Sequence, residues 1–338
     1  MIRPIIINLF LIIPNFLVKL FFWKKPPKIR NQYFDIQSYL YINLIPKLNL
    51  YKISDTQIPY IRNLIEKGRS KYRLSAKPKS KVQINDFFIS ADENKKILLR
   101  EYVPKNVSTS KVILYFHGGG YVLNSVDIYD DAVSFFSDCL KARIFSLDYS
   151  LSPESKFPEA LNESIKALDW LNNKGYKSNE ISFCGDSAGA HLAASLNYSL
   201  IDENKESSYS QLLMYPMCDP SCSSESHSLY KDGFLLSHKD MKWFWNKLMF
   251  HQKDCENAKF NLLKTSKIKN YPKTLIVTAG FDPLCDEAAE FENIIKNQGA
   301  IVKRLHYPSL FHGFASLTRL REPYVSVMDF LLEYKKLL

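Results

Sequence analysis

A serine sits between two glycines in Gly185-Asp186-Ser187-Ala188-Gly189, with the apolar run Ile181–Cys184 before it and a helical pattern after it. A serine hydroxyl is a weak nucleophile until a base takes its proton, and a sharp strand-to-helix turn exposes one. The small neighbours permit that turn, and the helix start brings a positive dipole end to the hydroxyl. Upstream, the run Val112–Phe116 ends in His117-Gly118-Gly119-Gly120. Consecutive glycines leave backbone N–H groups unobstructed. The amides of Gly118, Gly119 and Ala188 are therefore expected to hold the oxyanion of a tetrahedral intermediate, at about 3 kcal/mol of barrier per donor. His117 is read as a support for that loop and not as a base.

The serine needs a base, and the base needs an orienting acid. After Ser187, the strand pattern Leu275–Thr278 ends in Ala279-Gly280-Phe281-Asp282-Pro283-Leu284, and a later strand is followed by His312-Gly313-Phe314. Both lie after strand ends, on the edge where open α/β sheets build their sites. Asp282 and His312 are the expected acid and base. Asp286 is the second choice of acid, since it opens a helix pattern where an acidic residue is often only a dipole partner. His191, His227, His238, His251 and His306 form no pair with metal-ligand spacing, so no metal or other cofactor is expected.

These residues require a scaffold of strands and helices in alternation. Val82–Ser90 and Ile97–Val103 read as a hairpin turned at residues 91–94. Apolar strands follow at Val112–Phe116, Ile144–Asp148, Ile181–Cys184, Leu212–Tyr215, Leu275–Thr278 and Val302–Tyr307. Helical patterns lie near Pro158–Asn172, Ala188–Leu200, Asp286–Lys296 and Glu322–Leu337. Continuous apolar strands between helices predict an α/β fold with a mostly parallel central sheet flanked by helices. The stretch 217–263 interrupts the alternation and reads as a helical cap.

The chain of 338 residues carries a formal charge of +10, unevenly placed. Residues 1–81 hold 16 basic against 3 acidic residues, and residues 82–338 hold 29 against 32. The body is thus mildly acidic and offers no basic face for nucleic acid. Residues 5–23 are nearly all apolar and, as a helix, would reach roughly 28 Å, close to bilayer thickness. Pro14 should kink such a helix. Three segments are expected: an anchor over 1–24, a basic linker with short N-terminal cap helices over 25–81, and the body over 82–338. Lys24, Lys25, Lys28 and Arg30 follow the apolar run, which would put a membrane-bound body on the cytoplasmic side. The six cysteines are scattered and read as free thiols, with Cys218 and Cys222 close enough in sequence to pair after a rearrangement.

Together, these motifs resemble the hormone-sensitive-lipase-like esterases of the α/β-hydrolase superfamily. The resemblance spans about residues 82–330. It includes the order Ser187, Asp282, His312, the run Asp148-Tyr149-Ser150-Leu151-Ser152-Pro153-Glu154, and the cap helix Met241-Lys242-Trp243-Phe244-Trp245. It implies an α/β-hydrolase fold and a serine carboxylester hydrolase acting on short- to medium-chain acyl or aryl esters. Ser187 would be the nucleophile, His312 the base and then the acid, and Asp282 the orienting acid. An acylglycerol lipase or amide deacetylase with the same triad is the alternative, and a non-catalytic receptor is the remote one. Tyr121, Phe234, Trp243, Phe244 and Trp245 are candidate substrate contacts, although such aromatics as often form cap core. Two positions depart from the family pattern. Ser150 replaces a usual Arg, which would loosen a supporting ion pair, and Ala190 replaces a common third Gly. The apolar N-terminus resembles arylacetamide deacetylase-like members, whose bodies are luminal. Asn-x-Ser sites at Asn106, Asn162 and Asn197 are compatible with that alternative.

Overall fold

A computed structural model describes residues 25–338 except 46–47, 72, 91–94 and 267. The expected anchor over 1–24 and the hairpin turn at 91–94 lie outside the described residues. Among the described residues, no helix is long and apolar enough to cross a membrane. A short ribbon of β1 (Lys28–Ile29) and β2 (Gln32–Tyr33) precedes α1 (Ile36–Leu44) and α2 (Ile58–Lys71). Asp35 caps α1 by accepting the Ser38 N–H at 2.8 Å.

The body begins with the antiparallel hairpin β3 (Val82–Ser90) and β4 (Lys96–Pro104). It continues through β5 (Val112–Phe116), α3 (Val126–Leu140), β6 (Arg143–Leu147), α4 (Glu159–Asn173), β7 (Ile181–Asp186), α5 (Ala188–Asp202) and β8 (Ser210–Met214). After the stretch 217–263 come β9 (Lys273–Phe281), α8 (Cys285–Asn297), β10 (Val302–Phe311) and α9 (Arg321–Lys335). The intervening stretch carries α6 (Glu225–Leu229) and α7 (His238–Leu248) with two 3₁₀ turns. The eight strands lie in the order β10-β9-β8-β7-β5-β6-β4-β3. All neighbours from β10 to β6 are parallel, and β4 joins β6 antiparallel. This is the α/β-hydrolase fold, a mostly parallel sheet with helices on both faces.

Why the sheet sits in the middle follows from its side chains. Every residue of β5, β7 and β8 is buried, so both faces of these strands need apolar cover. On β5, Val112, Leu114 and Phe116 join one core, with Leu168 and Leu171 of α4 and Leu192 and Leu196 of α5. Ile113 and Tyr115 point the other way, into a core with Val133 and Phe136 of α3 and Val327 and Phe330 of α9. Each large apolar side chain so buried contributes about 1.5–3 kcal/mol. Helix α3 is absent from the sequence reading, yet parallel β5 and β6 cannot connect without a crossover. Its apolar residues Val126, Tyr129, Val133, Phe136 and Leu140 recur at helical spacing, and all are buried.

Candidate active site

Strand β7 ends at Asp186 and α5 begins at Ala188, so Ser187 is the whole turn between them. Its φ of 54° and ψ of −117° are costly for a residue with a side chain. Two backbone bonds hold it there: the Ser187 N–H donates to Met214 at 2.8 Å, and His191 N–H donates to the Ser187 carbonyl at 3.0 Å. The flanking glycines are needed because the chain passes so close to itself. A Cβ on Gly185 would lie 2.3 Å from the Gly189 carbonyl, and one on Gly189 would lie 1.9 Å from the Phe116 oxygen.

The structure brings Ser187, His312 and Asp282 into one hydrogen-bonded line. Asp282 leaves the end of β9, is fully buried, and accepts from His312 Nδ1 at 2.8 Å. Its other oxygen accepts the Leu284 N–H at 2.9 Å. A proton held on Nδ1 by a carboxylate leaves Nε2 as an acceptor, and Ser187 Oγ stands 2.8 Å from it. Ser187 and His312 each keep 8% of their surface exposed. Tyr215, which the sequence reading passed over, packs edge-on against the His312 ring at 4.8 Å and accepts the Ala315 N–H at 3.3 Å. Asp286 lies elsewhere. The Arg30 guanidinium, 2.7 and 2.8 Å from its two oxygens, holds its carboxyl below the usual range, and it also accepts the Ser226 N–H.

The oxyanion loop requires a correction. Gly118 N–H donates to Asp186 Oδ1 at 2.9 Å, so this amide is already engaged and cannot serve a substrate. Tyr115 donates to the same oxygen and Tyr129 to the other, both at 2.8 Å. Burial still raises the Asp186 carboxyl above its ordinary value despite these three donors. Among the described residues, no protein acceptor takes the N–H of Gly119, Gly120 or Ala188. Gly119 and Gly120 adopt φ of 127° and 62°, which closes the loop into a tight turn in which the Val122 and Leu123 N–H groups both donate to the Gly119 carbonyl. Asp186 reads as a spacer inside the serine motif, and its role was signalled only by being an acid next to the nucleophile.

Supporting residues surround this loop. His117 stacks on Tyr149 with ring centres 4.4 Å apart, and Tyr149 donates to the His117 carbonyl at 2.6 Å. Burial holds the His117 imidazole below its ordinary pKa. Glu163 is buried beneath the loop after β6. It accepts both the N–H and the hydroxyl of Ser150, at 2.7 and 2.6 Å, and pairs with Lys95 at 2.7 Å. An ion pair therefore persists at this position, with Lys95 as its cation. Ala190 is fully buried against the core.

The aromatic candidates separate into two groups. Phe244 lies against the oxyanion loop: a Cβ on Gly120 would meet its ring at 2.1 Å. Trp243 packs beside Phe244 at 5.2 Å. Trp245 is instead core, between His191 and Phe260 at 5.3 and 5.0 Å. Phe234 is core as well, among Phe34, Tyr230 and Phe281. Tyr121 is buried with its hydroxyl on His191. For these three the expectation of substrate contact is corrected, because packing or a protein partner already occupies them. The six cysteines are free thiols. Among the described residues, no group of three or more His, Cys, Asp or Glu could hold a metal ion.

Comparison with known proteins bears on this site. Residues 113–316, more than half of the chain, match a family described as having the alpha/beta hydrolase fold. The chain is 28% identical over 253 residues to the carboxylic ester hydrolase LipN of Mycobacterium tuberculosis, covering 72% of this chain and 67% of that one. It is 25% identical over 299 residues to an arylesterase of Saccharolobus solfataricus, covering 87% and 93%. Among solved structures, a hyperthermophilic esterase from the archaeon Pyrobaculum calidifontis superimposes with a TM-score of 0.76 at 26% identity, covering 86% of this chain and 99% of that one. With the family match spanning the strands that carry both glycine motifs, the chain belongs to the α/β-hydrolase fold family, in its hormone-sensitive-lipase-like group.

Proposed function

We propose that this protein is a serine carboxylester hydrolase for short- to medium-chain acyl or aryl esters. The observation that carries the reading is the Ser187–His312–Asp282 line, with both links at 2.8 Å, beside three unengaged amides. In this mechanism, Ser187 Oγ attacks the ester carbonyl as its proton passes to His312 Nε2. The Gly119, Gly120 and Ala188 N–H groups receive the developing oxyanion. Asp282 keeps the imidazole oriented and stabilises its cationic form. The tetrahedral intermediate collapses, Nε2–H gives its proton to the leaving alcohol, and an acyl-serine remains. Water then attacks the acyl carbonyl, losing a proton to Nε2, and Ser187 leaves with that proton as the acid departs. The packing of Phe244 on Gly120 supports an apolar wall at the reacting carbonyl.

The test is hydrolysis of p-nitrophenyl esters across acyl lengths, with Ser187→Ala as the control. Turnover in the natural protein that vanishes in folded Ser187→Ala is the expected result. Full activity in that variant would overturn the assignment. The apolar run over 5–23 and the basic Lys24, Lys25 and Lys28 after it support attachment to a membrane, with the body on the cytoplasmic side. Co-sedimentation with anionic vesicles should therefore fall when residues 1–24 are deleted, and equal sedimentation would refute attachment.

A further inference from the structure

Among the buried histidines outside the triad, His191 lies one turn after the nucleophile. It is 1% exposed, and its two ring nitrogens meet Tyr121 Oη at 2.6 Å and the Phe260 carbonyl at 2.8 Å. A neutral imidazole has one donor and one acceptor, and a carbonyl oxygen can only accept. Nε2 therefore carries the proton, Nδ1 is bare, and Tyr121 is the donor to it. Burial lowers the His191 pKa to about 4, so the neutral ring is the form present near neutral pH.

The location of this pair matters more than its burial. Tyr121 follows Gly120 directly and has a φ of 62°, continuing the positive run of the two glycines. A side-chain-bearing residue rarely adopts that conformation unaided, so something outside the loop must hold it there. Tyr121 is held twice, by its hydroxyl on His191 and by its carbonyl, which accepts the Ser152 N–H at 2.7 Å. His191 belongs to α5, and its N–H bonds the Ser187 carbonyl. The amides of Gly119 and Gly120 lie on one element and that of Ala188 on another, and the Tyr121–His191 bond joins the two. Phe260 belongs to the chain between α7 and β9, so the same ring also fastens the far end of the cap.

Resting on the esterase reading above, we propose that Tyr121 and His191 are positioning residues that set the spacing of the oxyanion amides. The decisive variant is Tyr121→Phe, which removes one oxygen and leaves the ring. Activity is expressed per active site, counted by titration of Ser187 with a p-nitrophenyl phosphonate. The expected kcat is about tenfold lower with KM within about twofold, the factor that matches one hydrogen bond of ordinary net strength. Affinity for an alkyl boronic acid, which forms a tetrahedral adduct on the serine, should fall by the same factor. His191→Gln can accept from Tyr121 and donate to Phe260, and should retain most of the kcat. His191→Leu should match Tyr121→Phe, and the double variant should lose little more. A purely structural role would lower Tm and leave kcat per titrated site unchanged, and that result overturns the proposal. A loss in KM alone would overturn it as well. A natural protein whose Ser187 neither turns over ester nor takes the phosphonate would overturn the underlying esterase reading, and this proposal with it.

Discussion

The choice between Asp282 and Asp286 as orienting acid can be decided by two conservative substitutions. In Asp282→Asn, the new side chain has one oxygen and one NH₂ for two fixed partners. One orientation gives the oxygen to the Leu284 N–H and the NH₂ to His312 Nδ1; the other points the NH₂ at the Leu284 N–H, donor against donor. The second leaves buried donors unsatisfied, at about 1–3 kcal/mol each, so the first should prevail. It makes Nδ1 an acceptor and moves the ring proton to Nε2, where it faces Ser187 Oγ. The base is then in the wrong tautomer, for which a loss of about 10⁴ in kcat is the usual magnitude, or about 5 kcal/mol of barrier. Asp286→Asn should behave otherwise. Arg30 and Asp286 are 30% and 29% exposed, and Arg30 keeps Glu225 as a second partner. Screening limits such a pair, so about 1 kcal/mol of stability should be lost and kcat should stay within about twofold. The assay is p-nitrophenyl acetate hydrolysis, with circular dichroism to establish folding. An Asp282→Asn variant within tenfold of the natural protein, or a crippled Asp286→Asn, would refute the reasoning.

Three other perturbations have signs fixed by the structure. Gly120→Ala places a Cβ 2.1 Å from the Phe244 ring at a φ of 62°, and should lower kcat about a hundredfold by displacing one oxyanion donor. Adding Phe244→Ala should recover part of that loss; a Gly120→Ala enzyme with unchanged kcat would place the loop elsewhere. The His191 pKa of about 4 lies below the ordinary 6.5, so the unfolded chain takes up a proton that the folded chain refuses. Stability should fall as pH drops below about 6.5 and finish falling near 4, by about 3 kcal/mol more in the natural protein than in His191→Gln. Urea unfolding of both proteins at several pH values checks this, and parallel pH profiles would refute it. Lys95→Met leaves Glu163 buried with only Ser150 as partner, and should cost about 2 kcal/mol after allowance for the partly exposed lysine. A melting curve unchanged from the natural protein would mean that Ser150 suffices.

The chemistry of the site was more legible than its geometry. Ser187, Asp282 and His312 could be named because each closes a strand pattern with a distinctive neighbour, and their order narrows the partners. Which amide faces the substrate could not be read that way. Spacing identifies Gly118 as part of a glycine run, but only the fold reveals that Asp186 has taken its N–H. The same holds for the aromatics: Phe244 and Trp245 are adjacent in sequence, yet helical rotation sends one to the oxyanion loop and the other into the core. The apolar spacing from Val126 to Leu140 was a readable signal for α3, obscured by its acidic Asp127, Asp130 and Asp131 and by its serines. Lys95 could not be linked to Glu163 from sequence, since three strands and a helix lie between the two along the chain.

Arg62 carries a consequence for what counts as the smallest working unit of this protein. From α2, its guanidinium donates to the Val122 carbonyl and to the Ser152 carbonyl, each at 2.7 Å, and pairs with Glu154. These are the two chain segments that carry and back the oxyanion loop, yet Arg62 lies 51 positions before the start of the family match at residue 113. The matched segment alone therefore carries the reacting groups without fully fixing the strap behind them. A lineage that shortened or exchanged its N-terminal segment would keep every catalytic residue and still alter turnover. Substitutions in this N-terminal segment can thus act as a rate control, separate from the residues that perform the reaction.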